Sequence, residues 1–186
     1  DHYIFPPVYL AELGSAMICG GSNLVYFDDV VICHDLYDFK CDSTSEEQNG
    51  VHLIDSKFNR MRVLQYDRSP EAIRCAASFV DSCAANYSHW LTEILPRIAV
   101  FCEIETYTDI PIVVDQGLHP NIMQSLALVV GSQRPVFTLP PGRILKVDRL
   151  IQTSATGYIP FGRRDKKFKN HSHGVFNPMA FKVLNS

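Results

Sequence analysis

The sequence has few of the features that would assign it at once to a functional class. It has one tryptophan, its six cysteines form no C-x-x-C pair or zinc-ligand spacing, and it has neither G-x-G-x-x-G nor a P-loop. No run of about 18 uninterrupted apolar residues is present, which argues against a membrane-spanning helix. The formal net charge is −3, so no overall positive field favours nucleic acid as a partner.

The composition that remains indicates one globular domain. The chain has 186 residues, of which 46% are hydrophobic and 20% charged, so it can bury a core and still carry one extension. Several cysteines stand in apolar surroundings, which is typical of reduced, buried thiols in a cytosolic protein. The first residue is Asp1 rather than Met. We therefore expect a cytoplasmic protein whose natural N-terminus has been removed.

Two patterns divide the chain. Residues 1–83 are predicted to be rich in strands, with a polar surface loop at 41–50. Residues 84–160 alternate between helices and short apolar strands, which favours an α/β fold with a Rossmann-like βα architecture. The predicted strands and helices are 16–19, 24–27, 30–33, 61–66, 76–80, a helix at 87–105, 110–114, a helix from His119-Pro120 to Gly131, 135–139, a strand up to 152, and a helix from 178.

The stretch NYSHWLTEILPRI, residues 86–98, places polar groups in a segment suited to a core. On a helix at about 100° per residue, Asn86, His89, Glu93 and Arg97 fall within an arc of about 80°. His89 and Glu93 are i,i+4 neighbours, as are Glu93 and Arg97, so each charge has a partner within reach. Pro96 is expected to kink this helix.

Residue chemistry alone leaves two interpretations of this stretch open. One is an amphipathic helix with Asn86 as its N-cap and a salt-bridged flank. The other is backbone shaped around a site. A metal site is disfavoured, because His89 and Glu93 are too few ligands and the second histidine of a zincin is missing.

The same stretch resembles the hallmark of the family 61 glycosyltransferases, which include capsular-polysaccharide transferases of bacteria. That hallmark is Asn, two residues, His-Trp, an acidic residue four past the His, and Leu-Pro-Arg. It is matched here by Asn86, His89, Trp90, Glu93, Leu95, Pro96 and Arg97. The acidic residue is Glu here, where many members have Asp. GGSNLVYFDDVVI, IPIVVDQ and VDRLIQTS stand in the family's order.

The resemblance implies the N-terminal, acceptor-side half of a GT-B enzyme. Residues 1–186 would be one acceptor-side domain, and the donor-binding C-terminal domain would be absent from this chain. The whole enzyme would be an inverting, nucleotide-sugar-dependent glycosyltransferase of surface or capsular polysaccharide synthesis, without metal or cofactor. Its partners would be a glycan acceptor and a nucleotide-sugar donor, and this fragment alone would be inactive.

The resemblance also implies roles for single residues. Glu93 would be the catalytic base, or would orient His89 to act as one. Asn86 would position the acceptor or cap the helix, and Arg97 would bind substrate or pair with Glu93. Trp90 would stack on a sugar face, although burial beside Ile94 is the competing interpretation.

Three further expectations concern the rest of the chain. Asp115 and His119 follow the IPIVV strand, where open α/β sheets bind ligands, and are secondary substrate-binding candidates. The basic stretch 162–173 is a solvated linker, or a contact to a phosphorylated acceptor or to anionic lipid at the inner face of the membrane. A different class also remains open, namely a non-catalytic α/β binding or interaction module.

Overall fold

The computed structural model describes residues 5–34, 44–47, 52–55, 60–63, 69–158 and 174–184. Its strands are β1 (Leu10–Leu13), β2 (Ala16–Cys19), β3 (Leu24–Phe27), β4 (Val30–Cys33), β5 (His52–Asp55), β6 (Arg60–Val63), β7 (Glu71–Ser78), β8 (Ile112–Asp115), β9 (Val136–Leu139), β10 (Ile144–Thr153), β11 (Gly157–Tyr158) and β12 (Val175–Phe176). Its α-helices are α1 (Tyr87–His89), α2 (Leu95–Cys102), α3 (Pro120–Val130) and α4 (Pro178–Val183). A π-helical segment at Trp90–Ile94 joins α1 to α2, and 3₁₀ turns lie at Ser45–Glu47 and Glu105–Tyr107.

Eight strands form one mixed sheet in the order β4-β3-β2-β10-β7-β8-β9, with β1 beside the second half of β10. The strands β9, β8, β7 and β10 are mutually parallel, while β1 to β4 are joined to them and to each other in antiparallel fashion. The fold is therefore α/β with a strand-rich first part, as the sequence predicts.

Local signals account for most of these elements. All four residues of β8 are buried, as expected for an apolar run between helices. The helix α3 begins with His119 as N-cap and Pro120 in its first turn, and it ends at Gly131, whose φ is 73°. The predicted helix 87–105 ends earlier, at Cys102, because Glu103 and Ile104 turn the chain out of the helix.

The two faces of the sheet are covered differently. The helices α2 and α3 pack on one face, around Phe79, Ile98 and Ile122. Among the described residues, the buried cluster on the other face consists of residues of the strands or shortly after them, such as Ile18 and Val113. The described helices thus cover one face of the sheet, and β9 passes to β10 through a short turn rather than a helix.

The sheet curls so that β2 and β9, which are not neighbours in the strand order, come together at their ends. Gly20, directly after β2, forms a parallel bridge with Pro141, directly after β9. The Gly20 N–H donates to the Arg143 carbonyl at 3.0 Å, and the Gly142 N–H donates to the Gly20 carbonyl at 2.8 Å. This contact closes the buried cluster of strand residues at the edge where β2 and β9 end.

The predicted surface loop at 41–50 is wrong for its central residues. Thr44, Ser45 and Glu46 are buried. The Glu46 carboxylate accepts hydrogen bonds from the Ser22 hydroxyl at 3.0 Å and the Asn23 N–H at 2.7 Å. Burial of a carboxylate is possible here because the turn before β3 supplies these donors. The other residues of 41–50 lie outside the described part of the chain.

Among the described residues, no helix is long and apolar enough to cross a membrane. The basic stretch 162–173, for which a membrane or acceptor contact is expected, lies outside the described residues.

We predict that Gly20→Ala destabilises the protein by about 2–4 kcal/mol, because a Cβ at this position would collide with the Pro140 carbonyl oxygen and lie 2.8 Å from that of Leu139. The matched control is Gly14→Ala, whose Cβ would lie 3.9 Å from its nearest neighbour, the Phe27 ring. Urea unfolding of both variants measures the difference. Equal stability of the two variants would contradict the contact between β2 and β9.

Candidate active site

Asn86 caps the helix that carries the candidate site. Its side-chain oxygen accepts hydrogen bonds from the Ser88 N–H at 2.9 Å and the His89 N–H at 3.4 Å. These bonds satisfy donors that the first turn of a helix leaves free. Of the two roles considered for Asn86, the structure supports capping.

The helix accommodates Pro96 through a change of hydrogen-bond register. The Leu95 N–H donates to the Trp90 carbonyl, five residues earlier, so Trp90–Ile94 form a π-helical segment. Pro96 then lies in the first turn of α2, where a missing N–H costs little. The kink expected at Pro96 stays a prediction, and the structure shows a π-helical segment directly before the proline.

The strand β11 covers this π-helical segment closely. The Thr156 hydroxyl donates to the Glu93 carbonyl at 3.1 Å. A Cβ on Gly157 would lie 2.9 Å from the Thr92 carbonyl oxygen and 3.2 Å from the Cγ of Glu93. Only glycine allows β11 to approach the helix this closely, so β11 packs directly against the backbone beside Glu93.

His89 and Glu93 form a pair at the partly open end of this helix. His89 Nδ1 is hydrogen-bonded to Glu93 Oε1, and the two side chains are 15% and 14% exposed. Burial raises the pKa of Glu93, and the neighbouring Asp81 carboxylate adds to this, while His89 opposes it. A carboxyl with a raised pKa, oriented by a histidine and reached by solvent, is suited to proton transfer.

Trp90 does not take the sugar-stacking role that the resemblance implies. Its side chain is fully buried, and its Nε1–H donates to the Ser125 hydroxyl of α3 at 2.8 Å. A ring enclosed by core residues is not accessible to a substrate. The substrate-binding prediction for Trp90 is therefore wrong, and the competing interpretation, burial beside Ile94, is confirmed.

Arg97 forms a different ion pair from the expected one. Its Nη1 lies 3.8 Å from Asp81 Oδ2, its Nε donates to the Thr153 carbonyl at 3.2 Å, and its guanidinium lies over the Phe79 ring. The side chain is buried against the end of the sheet. The π-helical segment changes the spacing of the helix, so the predicted i,i+4 pair with Glu93 is not formed.

Asp81 and His34 are the residues of this region that sequence reasoning missed. His34 Nε2 lies 3.2 Å from Asp81 Oδ2, and the Cys83 N–H donates to Asp81 Oδ1 at 2.9 Å. Burial alone would raise the pKa of Asp81, but the hydrogen bond and charge of His34, the charge of Arg97 and the Cys83 N–H together hold it below its usual range. Asp81 therefore stays ionised beside Glu93.

Asp115 and His119 have structural partners of their own. Asp115 is buried at the end of β8, and its two oxygens accept the Gly21 N–H at 2.5 Å and the Asp81 N–H at 2.8 Å. His119 is exposed and caps α3, where its Nδ1 accepts the Asn121 N–H at 3.2 Å. These contacts account for both side chains without a substrate, so the substrate-binding role predicted for them gains no support from the geometry.

Comparisons of the chain with protein-family models, with curated proteins and with solved structures find no match. Within the described ranges, no group of three or more His, Cys, Asp or Glu residues is arranged to hold a metal ion. The function must therefore be argued from the site itself.

We predict that Asp115→Asn changes how stability depends on pH. Burial raises the pKa of Asp115 to about 7, from an ordinary value of 3.8. At pH values between these two pKa values, Asp115 has lost its proton in the unfolded chain and keeps it in the folded protein. The stability of the folded protein therefore falls as pH rises through this range. As pH rises from about 4 to about 8, the free energy of unfolding of the variant should rise by up to about 4 kcal/mol relative to that of the wild type.

Urea unfolding at about pH 5 and pH 8 checks this, since the loss of one hydrogen-bond acceptor in the variant is independent of pH. The matched control is Asp109→Asn, at an exposed position. A stability difference from the wild type that is the same at both pH values would contradict the raised pKa.

Proposed function

We propose that the chain is the acceptor-side domain of an inverting, nucleotide-sugar-dependent glycosyltransferase, with Glu93 as its catalytic base. The observation that carries the proposal is the Glu93–His89 pair, in which burial raises the pKa of the carboxyl and the histidine fixes its orientation. Its residues occupy the positions that the family 61 hallmark gives to a conserved His and an acidic group.

The geometry suggests how the pair would act. Glu93 Oε1 is held by His89, so Oε2 would accept the proton of an acceptor hydroxyl. The hydroxyl oxygen would then form a bond to the anomeric carbon of the donor as the bond to the diphosphate breaks. Attack from the face opposite the leaving group inverts that carbon. The raised pKa makes Glu93 a stronger base than an exposed carboxylate.

The sheet supports a Rossmann-like half of a GT-B enzyme. The parallel strands stand in the order β9-β8-β7-β10, and in chain order this is 3-2-1-4. Ligands of open α/β sheets bind outside the carboxyl ends of the strands where this order reverses, which is between β7 and β10. Asp81 follows β7 and Thr153 ends β10, so Arg97 bridges this point.

Glu93→Gln in the full-length protein should lower kcat by a factor of about 10²–10⁴, with little change in KM for the donor, because the amide cannot accept the proton. The assay is release of nucleoside diphosphate from a panel of nucleotide sugars in the presence of glycan acceptors. Glu103→Gln, at an exposed position after α2, is the matched control. A Glu93→Gln enzyme as fast as this control would exclude Glu93 as the base.

His89→Asn tests the positioning role of the histidine. His89 acts to lower the pKa of Glu93, so its removal should raise that pKa further and move the acid limb of the kcat–pH profile to higher pH. A variant that loses rate equally at every pH, without this shift, would show that His89 has no influence on the base.

A further inference from the structure

The sheet and its helix layer end on the same side of the molecule. The strand β9 is the last strand of the sheet, and within the described residues β8 is its one neighbour. The helix α3 leads from β8 to β9, and α2 packs against both α3 and α4, so α3 is the last described helix of its layer on this side. We call the outer side of β9, together with the side of α3 that faces away from α2, the β9–α3 edge.

The main-chain groups of β9 alternate between β8 and this edge. The carbonyls of Pro135 and Leu139 accept hydrogen bonds from N–H groups of β8 and of the residue after it, at 3.0 and 2.9 Å. Because the direction of these groups alternates along a strand, the groups of Phe137 also face β8. The N–H and carbonyl groups of Val136 and Thr138 therefore face outward, where they can pair with another strand.

The side chains of β9 are accessible on both faces of the sheet. Val136 is 38% and Phe137 is 48% exposed, and Thr138 is exposed as well. Phe137 stands in register with Val113 of the helix-free face, whereas Val136 and Thr138 lie on the face that α3 covers. An edge strand with exposed apolar side chains on both faces is suited to association.

The adjoining side of α3 is also apolar. Ser125 marks the side of α3 that faces α2, because its hydroxyl accepts the indole N–H of the segment before α2 at 2.8 Å. At about 100° per residue, Met123, Ala127 and Val130 lie on the opposite side of the helix. Ala127 is exposed and the other two are half-buried. The apolar surface of β9 thus continues onto α3.

This edge carries no charge that is directed outward. Between residues 116 and 142, Arg134 is the only Asp, Glu, Lys or Arg. Its Nη1 donates to the carbonyls of Tyr107 and Ile110, and its guanidinium lies over the Phe101 ring. A two-fold axis brings each group of such a surface close to its own copy, so like charges would repel. An uncharged edge therefore fits a second copy of itself.

We propose that two copies of this chain associate through the β9–α3 edge, with their β9 strands antiparallel and Phe137 opposite Phe137 of the second copy. In this register, Val136 lies opposite Thr138 of the second copy, and the two residues exchange both of their outward main-chain hydrogen bonds. The two phenyl rings meet on the helix-free face, and the two α3 helices meet on the other face. A shifted register would place these groups opposite Pro140 or outside β9.

The size of the edge determines the expected affinity. The four residues of β9 and the eleven of α3 give a footprint of about 16 Å by 20 Å, with two layers of about 10 Å each. This footprint is smaller than the roughly 800 Å² that each partner of a standard interface buries. We therefore expect a weak dimer, with a dissociation constant on the order of 10–100 μM.

Thr138→Pro is the sharpest test of strand pairing. The proline removes an outward N–H and leaves the hydrogen bonds between β8 and β9 in place, and prolines are tolerated at such positions of edge strands. Sedimentation velocity of the full chain at about 2–500 μM gives the dissociation constant. Thr138→Pro should raise it at least about tenfold. The matched control Thr138→Val keeps the N–H and the branched side chain, and should dimerise like the wild type.

Phe137→Lys and Phe137→Glu test the register, because residue 137 faces its own copy. Each variant alone places like charges at the two-fold axis and should remain monomeric. An equimolar mixture places lysine opposite glutamate and should associate. Circular dichroism and urea unfolding establish that each variant is folded.

Three results would overturn the proposal. They are a wild type that stays monomeric at every concentration, a dimer that Thr138→Pro leaves unchanged, and a mixture of the two Phe137 variants that sediments no faster than either alone. The inference does not rest on the proposed transferase activity, because sedimentation measures association without turnover.

Discussion

The buried guanidinium of Arg97 is the group on which the arrangement of helix and sheet depends. Its Nε binds the last carbonyl of β10, and its Nη1 faces Asp81 in the loop after β7. These two strands are parallel neighbours in the centre of the sheet. A buried charge is tolerated only when it is paired and hydrogen-bonded. Arg97 therefore fixes α2 over the ends of both strands.

The π-helical segment explains why Arg97 reaches the sheet and Glu93 does not. In a regular α-helix, residues 86, 89, 93 and 97 would form one stripe. With the i→i−5 bond from Leu95 to Trp90, the turn before Pro96 holds an extra residue, and the positions after it face a different direction. His89 and Glu93 stay paired, whereas Arg97 turns into the core. The sequence predicts a kink at Pro96, but a kink and a π-helical segment can both relieve a missing N–H, and the choice between them depends on tertiary packing.

The features that could be predicted from the sequence are those whose signals lie close together in the chain. The strand at 16–19, the strand predicted at 110–114 and found at 112–115, and the helix ended by Gly131 were predictable because apolar runs, caps and turn residues act within a few positions. The burial of Glu46 and the contact of His34 with Asp81 depend on segments far apart in the chain. Asp81 could still have been found, because it follows an apolar strand exactly as Asp115 does, and parallel strands bring their carboxyl ends to one edge. Its partner His34 could not have been found in this way, because a single histidine after a strand forms no recognisable sequence pattern.

The electrostatics of the site follow from two carboxyl groups, Asp81 and Glu93, whose pKa values are shifted in opposite directions. His34, Arg97 and the Cys83 N–H keep the pKa of Asp81 low, and the charge retained on Asp81 helps burial to raise the pKa of Glu93. Opposite pKa shifts of this kind give two acids in one site different roles. The balance depends on Arg97 remaining the partner of Asp81.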